Sequence, residues 1–269
     1  MRISRGARDD IRGPARLIRD MWPTLFEIGG VRVASYAVLM ALGYVAALLV
    51  VVRLARRATA EGRGGGLEAG QVWDLFVVML VASILGAKIG HVLFEAPGHV
   101  TEDGRIIESL SELLREDPWH ALRLAEGGYV WYGGLLGALF TAVVYFRRRP
   151  ELNALLYSDA FAPAIMIGAA IGRGGGFLSG CCSGGPTDVP WAVAFPATDG
   201  VPVHPTQIYD SSFAALFGAF LLWRFGHRRF DGENIALLLL GYPIARFVTE
   251  AFRGDPERGH LGVLSTSQI

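Results

Sequence analysis

Few ionisable side chains interrupt the apolar runs of this sequence. Lys88 and His91, with Glu95 just beyond, follow at intervals of three and four, which places all three along one face of a helix. Asp159 and Arg173 share a second run, Asp210 lies in a third, and Arg246 with Glu250, four apart, in a fourth. A charge among hydrocarbon neighbours is costly, so such residues face protein or a polar cavity. Two readings stand side by side. The groups form buried ion pairs that hold helices together, or the cations Lys88, Arg173 and Arg246 converge on a ligand phosphate, whose oxygens match the planar guanidinium fork.

Glycine and cysteine add to the pattern. Gly172, Gly176, Gly180 and Gly184 recur every fourth residue, with Gly174 and Gly175 among them. Small residues at that spacing form close helix seams, the reading preferred for Gly86 with Gly90 and for Gly133 with Gly137. Over 172–176 each Gly costs about 1 kcal/mol relative to Ala in a helix, so a broken or re-entrant backbone lining a cavity is expected there. Backbone N–H groups would then join Arg173 in reaching an anion. His204-Pro205-Thr206-Gln207 opens an apolar run, with Pro suited to a helix start. The adjacent Cys181 and Cys182 admit a packed pair of small residues, a vicinal disulfide or a thiolate nucleophile. A metal site is disfavoured, because adjacent thiols plus His204 lack the usual ligand spacing.

The elements that must position these residues follow from composition. Of 269 residues, 52% are hydrophobic and only 19% charged, with 25 basic and 25 acidic side chains balancing to zero. That balance leaves no basic field for nucleic acid. Six runs approach the ~20 residues a membrane span requires, at 33–52, 72–94, 129–146, 157–177, 206–223 and 234–249. None alternates as a membrane strand would. The expected fold is an all-α, multi-pass membrane helix bundle. Residues 1–30 read as a tail, and 31–269 as one integral membrane domain with an external excursion at 95–128, where 109–123 suits a surface helix. Arginines cluster after the first, third and fifth runs, whereas 178–205 holds no Lys or Arg, so that last segment is expected outside. Tyr129, Trp131, Tyr132 and Trp223 suit interfacial anchors. No internal repeat is apparent, which counts against a small transporter.

Read together, "GRGGGFLSGCCSGGPT", "HPTQIYD", "GYPIARFVTEAFR" and "WYGGLLG" resemble the prolipoprotein diacylglyceryl transferase family, from about Val31 to the C-terminus. The resemblance implies a bacterial inner-membrane enzyme without metal or cofactor. Such an enzyme moves a diacylglyceryl group from phosphatidylglycerol to the lipobox cysteine of a prolipoprotein and releases glycerol phosphate. Its partners are then that lipid, the signal-peptide segment and the surrounding membrane lipid. Carried over by motif, Arg173 and Gly184 match signature positions. Tyr242, Arg246 and Glu250 match the last motif, Tyr36 the tyrosine of the first span, and His204 with Gln207 the His-Pro-Ser/Thr-Gln motif.

Departures from the family pattern are equally specific. Tyr132 replaces the family histidine ahead of Gly133 and Gly134, Gly176 replaces an asparagine, and Cys181 stands at a glutamate position. Lys88 stands where arginine is common and His91 where tyrosine is, and the family continues into one more span at the C-terminus. The implied catalytic set is Arg173, Arg246, Tyr242 and Glu250, with His91 and His204 as candidate bases. Lys88, Tyr36, Tyr132, Gly133, Gly134, Gly184, His204 and Gln207 form the binding set. Two alternatives stay open: an altered paralogue that only binds phospholipid or lipoprotein precursors, and a related transferase using the Cys181/Cys182 thiols. The orientation has a direct test. A membrane-impermeant thiol reagent applied to the outer face is expected to label Cys181 and Cys182, and labelling from the cytoplasmic face alone overturns it.

Overall fold

In the computed structural model every one of the six apolar runs is helical: α1 (Ser35–Ala60), α2 (Ala69–Phe94), α3 (Trp131–Arg148), α4 (Ala154–Ser179), α5 (Thr206–Phe225) and α6 (Glu233–Glu250). The structure describes residues 16–17, 24–28, 31–62, 66–94, 129–253, 260–261 and 264–265, together with Ser111 and Arg115. Apart from Ser111 and Arg115, the expected external excursion at 95–128 lies outside the described residues, as does most of the expected tail at 1–30. From that tail stretch, Thr24–Ile28 pairs antiparallel with Val31–Ala34, and Arg16–Leu17 runs parallel to Val193–Ala194.

Water would not tolerate the faces these helices present. Leu42, Leu49, Ile89, Leu136, Phe140 and Leu216 are all exposed, and rows of large apolar side chains on helix exteriors suit a lipid surround. The chain is an all-α membrane helix bundle with short strand pairs beside it. Among the described residues, α1, α2 and α4 are long and apolar enough to cross a membrane by length and composition. The six expected runs are all helical, and three of them meet that criterion in full. Helix α3 ends on Arg147 and Arg148, α5 starts with Thr206, Gln207 and Asp210 in its first turns, and α6 carries Glu233, Arg246 and Glu250.

The chain folds as two compact units, residues 52–157 and residues 1–51 with 158–269. In the first, α2 and α3 meet along glycine. A methyl group on Gly86 would run into the Gly133 carbonyl, one on Gly137 into the Ala82 carbonyl, and one on Gly90 would stand 3.2 Å from Val130 Cβ. This is the seam those glycine pairs predicted, and it draws the backbones together where only dispersion drives association.

The second unit uses the same device at the crossing of α1 and α4. A methyl group on Gly43 would lie 2.7 Å from the Gly168 carbonyl oxygen, and one on Gly175 only 3.2 Å from Tyr36 Cα. Here the expected break over 172–176 is corrected, because α4 runs unbroken through those glycines to Ser179. The close approach of α1 compensates the helix cost of glycine. The helix stops at Gly180, which takes φ +70°. Its N–H donates to the Phe177 carbonyl, and the Cys181 N–H reaches back to the Gly176 carbonyl at 3.1 Å. These are the paired bonds of a glycine-terminated helix. Ala162, Met166, Ala214, Leu221 and Leu238 close the core among α4, α5 and α6.

Asp159, fully buried in α4, is structural. Its carboxylate accepts the Gly232 N–H at 2.7 Å and the Ile235 N–H at 3.0 Å. It therefore caps α6 from a neighbouring helix, where free N–H groups and the positive dipole end favour an anion. Asp159→Ala strands both donors. It is expected to lower unfolding stability in detergent by roughly 2–4 kcal/mol, read from the denaturation midpoint.

Candidate active site

Arginine and carboxylate alternate across three helices of the second unit. Arg173 projects from the last turns of α4, and its Nη1 lies 3.5 Å from Asp210 Oδ2 on the first turns of α5. The same Asp210 oxygen lies 3.9 Å from Arg246 Nη1 on α6. Arg246 Nη2 pairs in turn with Glu250 Oε2 at 2.8 Å, one turn along α6. One carboxylate thus holds two guanidiniums that would otherwise repel. It does not saturate them: Arg246 Nη1 is buried with no hydrogen-bond partner among the described residues, and Arg173 keeps a third of its side chain exposed. Ten guanidinium N–H donors face few acceptors there, which suits an added anion rich in oxygen.

Beside this ladder stands the turn that carries the cysteines. Gln207 Nε2 donates to the Cys181 carbonyl at 2.7 Å, and the Thr206 hydroxyl to the Cys182 carbonyl at 2.9 Å. The Thr-Gln pair that opens α5 therefore clamps the turn from below. Gln207 is buried, and its Oε1 has no partner among the described residues. Both cysteines are free and exposed, so neither the packed-pair nor the disulfide reading describes this state. Cys182 takes φ +62°, a left-handed conformation unusual for a residue with a side chain. A hydrogen bond from the Cys181 thiol, then the Arg253 and Arg173 guanidiniums, holds the Cys182 thiol down to about 5, against burial, which raises it. That same bond, reinforced by burial, pushes the Cys181 thiol up.

His204 belongs to the frame of this turn. Its Nδ1 lies 3.2 Å from the Tyr209 hydroxyl, which also accepts the Trp191 indole N–H at 2.7 Å, and its ring packs edge-on to Phe252. Gly184 threads between them. Its N–H donates to the His204 carbonyl at 2.8 Å, and a methyl group there would stand 2.6 Å from His204 Cβ. Gly184 is thus required for close approach, and it forms a β-bridge with Arg253.

Other expected residues are distributed as follows. Tyr36 stands exposed at the start of α1, within electrostatic reach of Cys181, Cys182 and Arg173. Tyr242 packs against the core below Arg246. In the other unit, Lys88 is buried with its ammonium 6.0 Å from the Tyr129 ring centroid, and His91 follows one turn later on α2, partly buried. Tyr132 is exposed, edge-on to Trp131. Gly133 and Gly134 are packing positions, the first on Gly86 and Gly90, the second against Ser83.

Two residues outside the expected set belong to the site. Asp210 was legible as an ionisable group in an apolar run, but nothing local marks it as the shared counter-ion. Arg253, three residues beyond Glu250 and last in the "GYPIARFVTEAFR" string, reaches Cys182.

Comparison with known proteins adds an independent observation. The family model described as prolipoprotein diacylglyceryl transferase matches residues 23–269. Among curated relatives, the phosphatidylglycerol–prolipoprotein diacylglyceryl transferase of Clostridium tetani is 29% identical, over 93% of this chain and 92% of its own. The enzyme of that name from Polynucleobacter asymbioticus is 33% identical, over 90% and 86%, and that from Bordetella bronchiseptica 31%, over 90% and 86%.

Proposed function

The chain belongs to the prolipoprotein diacylglyceryl transferase family, and from that premise we propose that it transfers a diacylglyceryl group from phosphatidylglycerol to the lipobox cysteine of a prolipoprotein. We place the reaction at the bacterial inner membrane, with the chain crossing it several times. The observation that carries this reading is the convergence of Arg173 and Arg246 on one carboxylate, with guanidinium donors to spare.

The chemistry explains why two guanidiniums are needed. The acceptor sulfur attacks the glyceryl carbon, a C–S bond forms, and the C–O bond to phosphate breaks. A phosphodiester with one negative charge leaves as glycerol phosphate with nearly two. Charge therefore grows on the phosphate as the transition state is reached, and donors fixed beside it stabilise that state more than the bound lipid. Asp210 sets the fork directions, and Glu250 anchors the far side of Arg246. The thiol proton must leave as well, since an ordinary cysteine is only a few per cent thiolate at neutral pH. His91 is the proposed base, on the α2 face it shares with Lys88, and Tyr132 takes part in holding the acceptor segment. Tyr36, Tyr242, His204 and Gln207 are assigned to positioning the arginine ladder and the cysteine turn.

A lipid relay through Cys182 is chemically unfavourable. Once alkylated, its thioether would have to expel a thiolate from an unactivated carbon, a far poorer leaving group than phosphate.

Arg173→Lys and Arg246→Lys keep the charge but lose the planar fork. Each is expected to insert normally yet transfer labelled diacylglyceryl to a lipobox peptide about 100-fold more slowly, the effect of about 2.7 kcal/mol of transition-state stabilisation. His91→Gln is expected to abolish transfer in the same assay, while Tyr132→His is tolerated. Wild-type rates in both lysine variants would remove the phosphate clamp, and a normal rate in His91→Gln would remove the base.

A further inference from the structure

The ion ladder accounts for the arginines but gives the vicinal cysteines no task. Their geometry is specific. Both carbonyls of the turn are tied down by Gln207 and Thr206, and the two thiols stand exposed and in contact with one another. The clamped turn sustains a left-handed backbone at Cys182, a conformation that residues with a side chain seldom adopt. Arg253, held against Gly184 by a β-bridge, hydrogen-bonds the Cys182 sulfur. The Ser179 hydroxyl lies 3.4 Å from Cys181 Sγ. One sulfur thus has cationic company and an open approach, and the other waits beside it. This is the division of labour of an attacking and a resolving thiol.

We propose that Cys181 and Cys182 form a thiol–disulfide exchange site that returns an oxidised acceptor cysteine to the thiol form. The proposal rests on the reading that the acceptor is a peptide thiol, which an oxidising compartment would convert to a mixed disulfide. The Cys182 thiolate attacks the peptide sulfur, expels the other half as a thiolate, and forms a Cys182–peptide disulfide. Cys181 then gives up its proton and attacks Cys182. The peptide leaves as a free thiol, and the small ring of a Cys181–Cys182 disulfide closes. The two electrons gained by the acceptor disulfide come from the pair, which an external dithiol reductant restores in the reverse sense.

The test uses the full chain in detergent, reduced and then freed of reductant. Its probe is a lipobox peptide whose cysteine carries thionitrobenzoate as a mixed disulfide. Wild-type protein is expected to release thionitrobenzoate and then free peptide. The rate should change less than about threefold between pH 8 and pH 6, because the Cys182 thiolate persists until pH falls through about 5. An ordinary thiol would slow about tenfold per pH unit below its pKa. Cys181→Ser should release thionitrobenzoate but retain the peptide on Cys182, seen as a mass adduct. Cys182→Ser should be more than about tenfold slower near pH 5.5, where the higher thiolate fraction outweighs the lower intrinsic nucleophilicity. Phenylarsine oxide, which needs two adjacent thiols, should block the wild-type protein without any substitution.

A tenfold fall per pH unit in the wild type, peptide freed by Cys181→Ser as fast as by wild type, or no block by the arsenical overturns the proposal. Diacylglyceryl transfer to the same peptide, supplied reduced, is measured in parallel. Exchange without transfer refutes the transferase reading and leaves the exchange site standing. Transfer without exchange does the reverse.

Discussion

Everything at the candidate site depends on the Asp210 carboxylate standing between two guanidiniums. Without it, Arg173 and Arg246 would repel across a surrounding of low polarity, where charge interactions are screened far less than in water. With it, the pair is held together but under-neutralised. A saturated salt-bridge network would be a rigid strut with nothing left to bind. An unpaired arginine would either carry a large desolvation penalty or turn away toward water. The arrangement Arg173–Asp210–Arg246–Glu250 lies between these limits. It keeps the cations in position while leaving Arg246 Nη1 without a hydrogen bond.

Backbone packing delivers those charges to one place. Arg173 follows Gly172 in α4, and Gly175, half a turn on, lets α1 approach to contact distance at Tyr36. A bulkier residue at Gly175 would push α1 outward and take Tyr36 with it. The glycine-terminated end of α4 then turns the chain within two residues to Cys181 and Cys182. The first turn of α5 meets that turn through Thr206 and Gln207 and, one turn later, offers Asp210 to Arg173. One helix start therefore serves both the thiol turn and the ion ladder.

Much of this was legible in the sequence because membrane physics leaves few options. A long apolar run with a lone arginine must be a helix with its arginine facing inward, and both Arg173 and Arg246 conform. The Gly86/Gly90 and Gly133/Gly137 pairs read as a seam and form one. The break expected over 172–176 failed because helix propensity is local, whereas the approach of α1 that offsets it comes from far along the chain. Asp159 was hidden for a related reason. Its partners Gly232 and Ile235 lie more than seventy residues away, and no spacing rule links a carboxylate to another helix's free N–H groups.

Gly176 lies against the Cys181 side chain. A side chain at Gly176 would begin 3.6 Å from Cys181 Sγ and 3.8 Å from Gln207 Cγ. A Cβ alone fits at that distance, but the carboxamide of an asparagine would extend into the space the sulfur occupies. A side chain longer than a methyl group at 176 would therefore meet the Cys181 sulfur or the Gln207 stem. The buried Oε1 of Gln207 has no partner among the described residues and could accept a hydrogen bond. Neither glycine nor a cysteine already engaged with its neighbour supplies one.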